Sequence, residues 1–136
     1  MADAEQRLTL RVYYEDTDFS GRVYHASYLR FFERGRTEWL RSFGFQHNQL
    51  AASSGIAFAV SRLQVDFAAP AFIDDLLDVA TQLEPPRGAV LNFRQIISRE
   101  GVTLATGAVG VVAIKGDRAV RPPRELLQAL AQIRRQ

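Results

Sequence analysis

One segment constrains this chain more than any other. Between residues 26 and 43, Tyr28, Leu29, Phe31, Phe32, Trp39, Leu40 and Phe43 recur at helical spacing. Arg30, Glu33, Arg34, Arg36, Thr37, Glu38 and Arg41 supply most of the remainder. This pattern predicts one amphipathic helix about 27 Å long. Gly44 follows the last apolar residue as a C-cap. Glu33 with Thr37, and Arg34 with Glu38, stand four residues apart, where side chains meet on a helix. So many large aromatic rings on one helix require an extensive surface to cover them. A curved sheet wrapped around the helix would provide it.

The flanking sequence supplies such a sheet. Leu8, Leu10, Val12 and Tyr14 alternate as a strand. After the helix, residues 46–54 read as a short second helix or loop ended by Gly55. Strand-like runs then follow at 56–67, 76–83, 89–98 and 102–114. In the first of these, Phe58 and Val60 lie on one parity and Leu63, Val65 and Phe67 on the other. That switch predicts a bulge or bend. Ala69-Pro70-Ala71 and Asp74-Asp75 break the chain, and Pro85-Pro86-Arg87-Gly88 is a strong turn. The last two runs read as a hairpin across Arg99-Glu100-Gly101.

Residues 102–114 are apolar on both parities, with small Ala105, Gly107, Ala108 and Gly110. This reads as a central strand that the long helix approaches closely. Pro122-Pro123 ends the sheet, and residues 124–136 read as a short terminal helix. Strands and helices do not alternate, which argues against a doubly wound parallel sheet. The expected fold is α+β, a single domain over residues 1–136 with an antiparallel sheet wrapped around one long helix. Free sheet edges and one uncovered face favour a dimer or a higher oligomer.

Composition excludes several classes of chemistry. The 136 residues carry a net charge of +2 and contain no cysteine. Disulfides, thiolate nucleophiles and cysteine metal sites are therefore absent. The densest basic cluster is Arg134-Arg135, too short for a nucleic-acid footprint. No apolar run reaches the roughly 20 residues of a membrane span. The polar N-terminus lacks a signal-peptide core, so a cytoplasmic location is expected. The histidines are His25 and His47, without metal-ligand spacing, so no metal site is expected. No G-x-S-x-G, Walker A or G-x-G-x-x-G motif occurs.

Chemistry concentrates just before the long helix, in Tyr14-Glu15-Asp16-Thr17-Asp18-Phe19-Ser20-Gly21-Arg22-Val23-Tyr24-His25. A helix N-terminus offers unpaired N–H groups and a partial positive charge. A carboxylate beside such donors could attack a polarised carbonyl, or deprotonate a water that does. By residue type alone, Asp18 and Asp16 suit turn capping, and Tyr14 and Tyr24 suit packing with a wet hydroxyl. Glu33 and Glu38 suit helix-surface pairing with nearby arginines.

The stretch Val12-Tyr-Tyr-Glu-Asp-Thr-Asp18, with Gly21, Val23-Tyr-His25, Tyr28 and Glu33-Arg-Gly-Arg-Thr-Glu-Trp-Leu-Arg41, closely resembles the hotdog-fold acyl-CoA thioesterases. The resemblance is to the 4-hydroxybenzoyl-CoA thioesterase group, in its YbgC-like, Tol-Pal-associated branch. It covers nearly the whole chain, including the terminal Pro-Pro-Arg segment. It implies a hotdog fold and a homodimer or homotetramer with active sites between protomers.

It further implies that Asp18 is the catalytic carboxylate and that the backbone N–H of His25 polarises the thioester carbonyl. The His25 side chain belongs to the site in this branch, and Tyr24 falls beside it at a substrate-binding position. Phe58, Ala59, Val60 and Ser61 of the partner subunit would line the acyl or pantetheine channel. No cofactor is needed beyond coenzyme A, itself part of the substrate. An acyl carrier protein is an alternative carrier. Arg62, Arg87, Arg94 and Arg99 are candidates for coenzyme A phosphates.

Two residues depart from the family pattern. Arg22 stands where a small aliphatic residue is frequent, and Gly35 where alanine is common. Gly35 would permit close packing, at a cost of about 1 kcal/mol in helix propensity. The implied reaction is hydrolysis of acyl-CoA to free acid and CoA, with Asp18 as nucleophile or general base. The rival readings are an acyl-thioester hydratase or dehydratase on the same fold, and a non-catalytic acyl-carrier-binding protein.

Overall fold

The computed structural model describes residues 5–85 and 88–134. The turn expected at residues 85–88, Arg87 and the last turn of the terminal helix fall wholly or partly outside them. So does the pair Arg134-Arg135, as far as its side chains are concerned. The elements in chain order are β1 (Glu5–Arg11), α1 (His25–Ser42), α2 (His47–Ser54), β2 (Ile56–Phe67), β3 (Leu76–Leu83), β4 (Val90–Arg99), β5 (Val102–Lys115), β6 (Arg118–Val120) and α3 (Arg124–Arg134). A 3₁₀ turn at Tyr14–Asp16 leads from β1 toward α1.

The strands form one antiparallel sheet in the order β1-β3-β4-β5-β2, with β6 pairing to β5. This is the hotdog arrangement, with α1 lying along one face. β5 is an interior strand, paired with β4 and β2, as expected. Two points differ from expectation. β1 stops at Arg11 instead of running to Tyr14, because the chain turns there into the 3₁₀ segment. β6 was not expected. It continues the pairing of Ala113–Lys115 beyond Val90↔Val112, the last pair of β4 with β5.

The helix buries Tyr28, Phe31, Phe32, Gly35, Trp39 and Leu40. Leu29, assigned to the same face by its spacing, is instead exposed. Glu38 pairs with Arg41 at 2.6 Å and not with Arg34. The helix ends in a Schellman motif. Gly44 has φ +87°, its N–H bonds the Arg41 carbonyl at 2.9 Å, and Phe45 N–H bonds the Leu40 carbonyl at 3.0 Å.

Two apolar clusters lie beneath α1. Phe31 and Phe32 pack with Leu10, Val12, Leu77, Val79, Ile97 and Leu104. Trp39 and Leu40 pack with Leu91, Phe93, Val109, Val111 and the α3 residues Leu126 and Leu130. Gly35 lies between Phe32 and Trp39 on the helix. A Cβ there would meet Thr81 Oγ1 at 2.7 Å, Val79 Cγ1 at 2.8 Å and Gln95 Nε2 at 2.9 Å. The small residues of β5 serve the same contact, since a Cβ on Gly107 would meet the Phe32 ring at 3.1 Å.

The expected bulge in β2 is present. Val60 pairs with Val111 and Arg62 with Gly110, leaving Ser61 extra. The bulge keeps Phe58 and Val60, and then Leu63, Val65 and Phe67, on the helix side of the sheet, because their partners Ala113, Val111, Val109, Gly107 and Ala105 face α1. The β4–β5 hairpin turns through Glu100 and Gly101, both at positive φ, as a two-residue connection between twisted strands requires.

Candidate active site

The residues before α1 fold back on themselves. Asp18 N–H bonds the Arg22 carbonyl at 2.8 Å, Thr17 bridges Val23, and Tyr24 N–H bonds the Asp16 carbonyl at 2.8 Å. Gly21, at φ +80°, closes the tip, and its N–H bonds the Asp18 carbonyl at 3.2 Å. This ladder carries Asp18 alongside the segment that enters α1 at His25.

Asp18 is exposed. Its Oδ1 accepts the Ser20 N–H at 2.8 Å and the Ser20 hydroxyl at 2.6 Å. The Ser20 hydroxyl, then the Ser20 N–H, hold its carboxyl below the ordinary aspartate range, with the Arg22 guanidinium adding to the effect. The Arg22 backbone N–H also favours the ionised carboxylate, which faces solvent. Ser20 was not singled out in the sequence. The readable signal was the Asp-x-Ser spacing, which suits a side chain bonding backbone two residues on.

Asp16 is buried, and its role differs from that of Asp18. Its Oδ2 accepts the Tyr13 N–H at 2.9 Å, and Arg30 Nη2 stands 3.7 Å from Oδ1. Arg30 in turn donates to Ser27 Oγ at 2.9 Å. The expected turn-holding function is thus seen in these contacts, and they tie the loop to the first two turns of α1.

His25 is the first residue of α1, preceded by Tyr24 as N-cap without a side-chain capping bond. Ser27 N–H is satisfied by the Tyr24 carbonyl at 2.8 Å. The N–H groups of His25 and Ala26 have no acceptor among the described residues. The His25 ring lies against that of Tyr24, with centroids 4.3 Å apart. Tyr24 is half-exposed. Tyr14, expected to pack, is 82% exposed, because the chain has left the strand before reaching it.

Phe58, Ala59 and Val60 lie elsewhere, in a cavity of about 290 Å³ shared with Leu40, Leu91, Phe93, Val111, Glu33, Arg36 and Thr37. Ser61 is not part of its wall; its hydroxyl bonds the Gly110 carbonyl at 3.2 Å within the bulge. One protomer therefore holds Asp18 and His25 at one place and residues 58–60 at another.

Of the arginine candidates, Arg99 is paired with Asp75 at 2.5 Å. Arg94 lies 3.7 Å from Glu84, and Arg62 and Arg22 are exposed. Arg36 was not anticipated as a site residue. Among the described residues no group of three potential ligands is placed to hold a metal.

The sequence profile of the Thioesterase-like superfamily matches residues 12–130. This chain belongs to that family. It is 42% identical over 114 residues to the acyl-CoA thioesterase YbgC of Haemophilus influenzae, covering 84% of each chain. A probable thioesterase from Bartonella henselae has the same fold, with a TM-score of 0.85, 39% identity, and coverage of 88% of this chain and 99% of that one. The 4-hydroxybenzoyl CoA thioesterase of Pseudomonas sp. strain CBS-3 shares the fold at 19% identity, with a TM-score of 0.86 over 92% of this chain and 98% of that one. The resemblance drawn from residues 12–41 thus holds across the chain.

Proposed function

We propose that this protein is an acyl-CoA thioesterase whose active site is completed between two copies of the chain. The observation that carries this reading is the loop that sets an ionised, solvent-facing Asp18 beside the open N-terminus of α1. The activity named for its relatives is the one this arrangement suits.

In this reading the thioester carbonyl seats at the His25 N–H. Charge developing on its oxygen is stabilised there by that donor and by the helix dipole. One such donor lowers the barrier by about 3–4 kcal/mol. Asp18 attacks the carbonyl carbon and the CoA thiolate leaves to take up a proton; water then hydrolyses the resulting mixed anhydride to free acid and the Asp18 carboxylate. Alternatively, Asp18 takes a proton from the attacking water. Its lowered pKa keeps it ionised, as both routes require. The His25 ring and Tyr24 flank the thioester, and no cofactor takes part.

The second copy follows from β2. This edge strand is 12 residues long and leaves Val60, Leu63 and Phe67 about half exposed on its helix-side face. A long apolar edge of this kind is a pairing surface. Edge-to-edge pairing into a homodimer, or two such dimers, would bring residues 58–61 of one protomer toward the Asp18 loop of the other. Acyl groups on a carrier protein fit the same site through their shared phosphopantetheine arm. No helix among the described residues is long and apolar enough to cross a membrane, and the reading keeps the cytoplasmic location expected from the sequence.

The test is thiol release from short, long and aromatic acyl-CoAs by wild type and Asp18→Asn. Turnover that the substitution abolishes supports the reading. Equal turnover by both proteins removes Asp18 from it, and a hydratase would release no thiol from any substrate.

A further inference from the structure

The cavity beside residues 58–60 has an uneven lining. Phe58, Val60, Leu40, Leu91, Phe93 and Val111 supply its apolar walls, and Glu33, Arg36 and Thr37 bring polar groups to the same space. Arg36 is half-buried and has no carboxylate within ion-pair distance among the described residues. Burial lowers its pKa and the neighbouring Glu33 opposes that shift, so its charge is held under desolvation.

Arg36 is held in place from below. Gln95 is buried, and its Nε2 donates to the Phe32 carbonyl and to Thr81 Oγ1, each at 2.8 Å. Those acceptors fix the amide, so Oε1 must face Arg36, whose Nη1 donates to it at 3.0 Å. Only the absence of a side chain on Gly35 lets Gln95 and Thr81 come so close to the helix. One of the five guanidinium donors is thereby occupied, and the fork is fixed with others left over. A fixed, half-buried cation held only by one amide oxygen, with Glu33 beyond ion-pair distance, gains from a further acceptor.

We propose that Arg36 is a specificity residue that receives an oxygen acceptor, a carboxylate or a hydroxyl, at the far end of the acyl group. This rests on the thioesterase reading above and names its substrate class. The cavity, of about 290 Å³, has room for a medium-length acyl group whose far end meets the guanidinium. A plain alkyl end would leave the cation unpaired.

The test compares kcat/KM for three thioesters of equal length: octanoyl-CoA, 8-hydroxyoctanoyl-CoA and the monothioester suberoyl-CoA. Wild type should favour at least one oxygenated substrate over octanoyl-CoA by ten-fold or more. Arg36→Gln removes the charge and should bring that ratio close to one. Because the ratio is measured on a single preparation, loss of folded protein cancels. The two oxygenated arms show whether carboxylate or hydroxyl is taken. A wild-type preference for octanoyl-CoA, or a ratio that Arg36→Gln leaves unchanged, overturns the proposal. Absence of thiol release from all three and from the wider acyl-CoA panel overturns the thioesterase reading itself.

Discussion

Gly35 on α1 and Gln95 on β4 are packed so closely that a Cβ on residue 35 would stand 2.9 Å from Gln95 Nε2. The contact lies between the Phe31–Phe32 and Trp39–Leu40 clusters, where Gln95 donates to the Phe32 carbonyl and accepts from Arg36. It explains why a helix interior tolerates glycine at this position. The residue gives up helix propensity and gains contact with the sheet.

Gly35→Ala should therefore destabilise the fold although alanine is the better helix former. Propensity alone predicts a gain of about 1 kcal/mol, but forcing a methyl into a filled space costs about 1–3 kcal/mol. The Cβ would also press on Thr81 Oγ1 and Val79 Cγ1, at 2.7 and 2.8 Å. The expected outcome is a Tm lower by about 3–8 °C. An unchanged or higher Tm by calorimetry would contradict the packing account.

Asp18→Asn should leave the Tm close to wild type, because the side chain is exposed and an amide oxygen still accepts from Ser20. Thiol release should fall by roughly 10²–10⁴-fold, the usual contribution of such a group. Steady-state kinetics beside a melting curve separates a lost reaction from a lost fold.

The Asp18–Ser20 contact predicts a pH effect of definite sign. Hydrogen bonds from Ser20 stabilise the ionised carboxylate, so its pKa lies below the ordinary value. Activity should persist as pH falls through the ordinary aspartate range, near 3.9, and be lost only below it. Ser20→Ala removes the largest cause, so the acid limb of kcat/KM should move to higher pH. A shift toward lower pH, or none, would sink this assignment.

Asp16 should prove structural in a graded way. Asp16→Ala leaves the Tyr13 N–H without its acceptor, at a cost of about 1–3 kcal/mol. Asp16→Asn keeps an acceptor and loses only the attraction of the largely exposed Arg30, 3.7 Å away, which is worth little. Urea unfolding should rank the three proteins wild type, then Asn, then Ala.

Leu63→Asp should split the proposed dimer. The residue is 42% exposed on the β2 edge, so a charge there adds little cost to the isolated chain. In a paired edge it would be buried against its counterpart. Light scattering should report a monomer, and thiol release should fall with it. A dimer of undiminished activity would place the interface elsewhere.

Much of this was legible in the chain. The aromatic spacing of residues 28–43 gave the helix, the parity switch between Val60 and Leu63 gave the bulge, and Glu100-Gly101 gave the hairpin turn. The block from Asp16 to Arg41 was enough to indicate the family. Less legible were features with no periodic signature. Short β6 carries too few residues to show alternation. Tyr14 keeps the parity of β1 although the strand has ended at Arg11. The role of Gln95 was half visible, as the one polar residue on the inward parity of Leu91, Phe93 and Ile97.

The sequence by itself determined the elements, because hydrophobic period and turn chemistry act over a few neighbouring residues. It also placed Asp18 beside the helix start, since fewer than ten residues separate Asp18 from His25. Only the tertiary structure decided which residues meet across the sheet. Gly35, Thr81, Gln95 and Arg36 come from α1, β3 and β4, and their union depends on register and helix depth, which no local pattern encodes. The same holds for the cavity at residues 58–60. Its walls are assembled from segments whose proximity is set by how closely one helix can lie on one curved sheet.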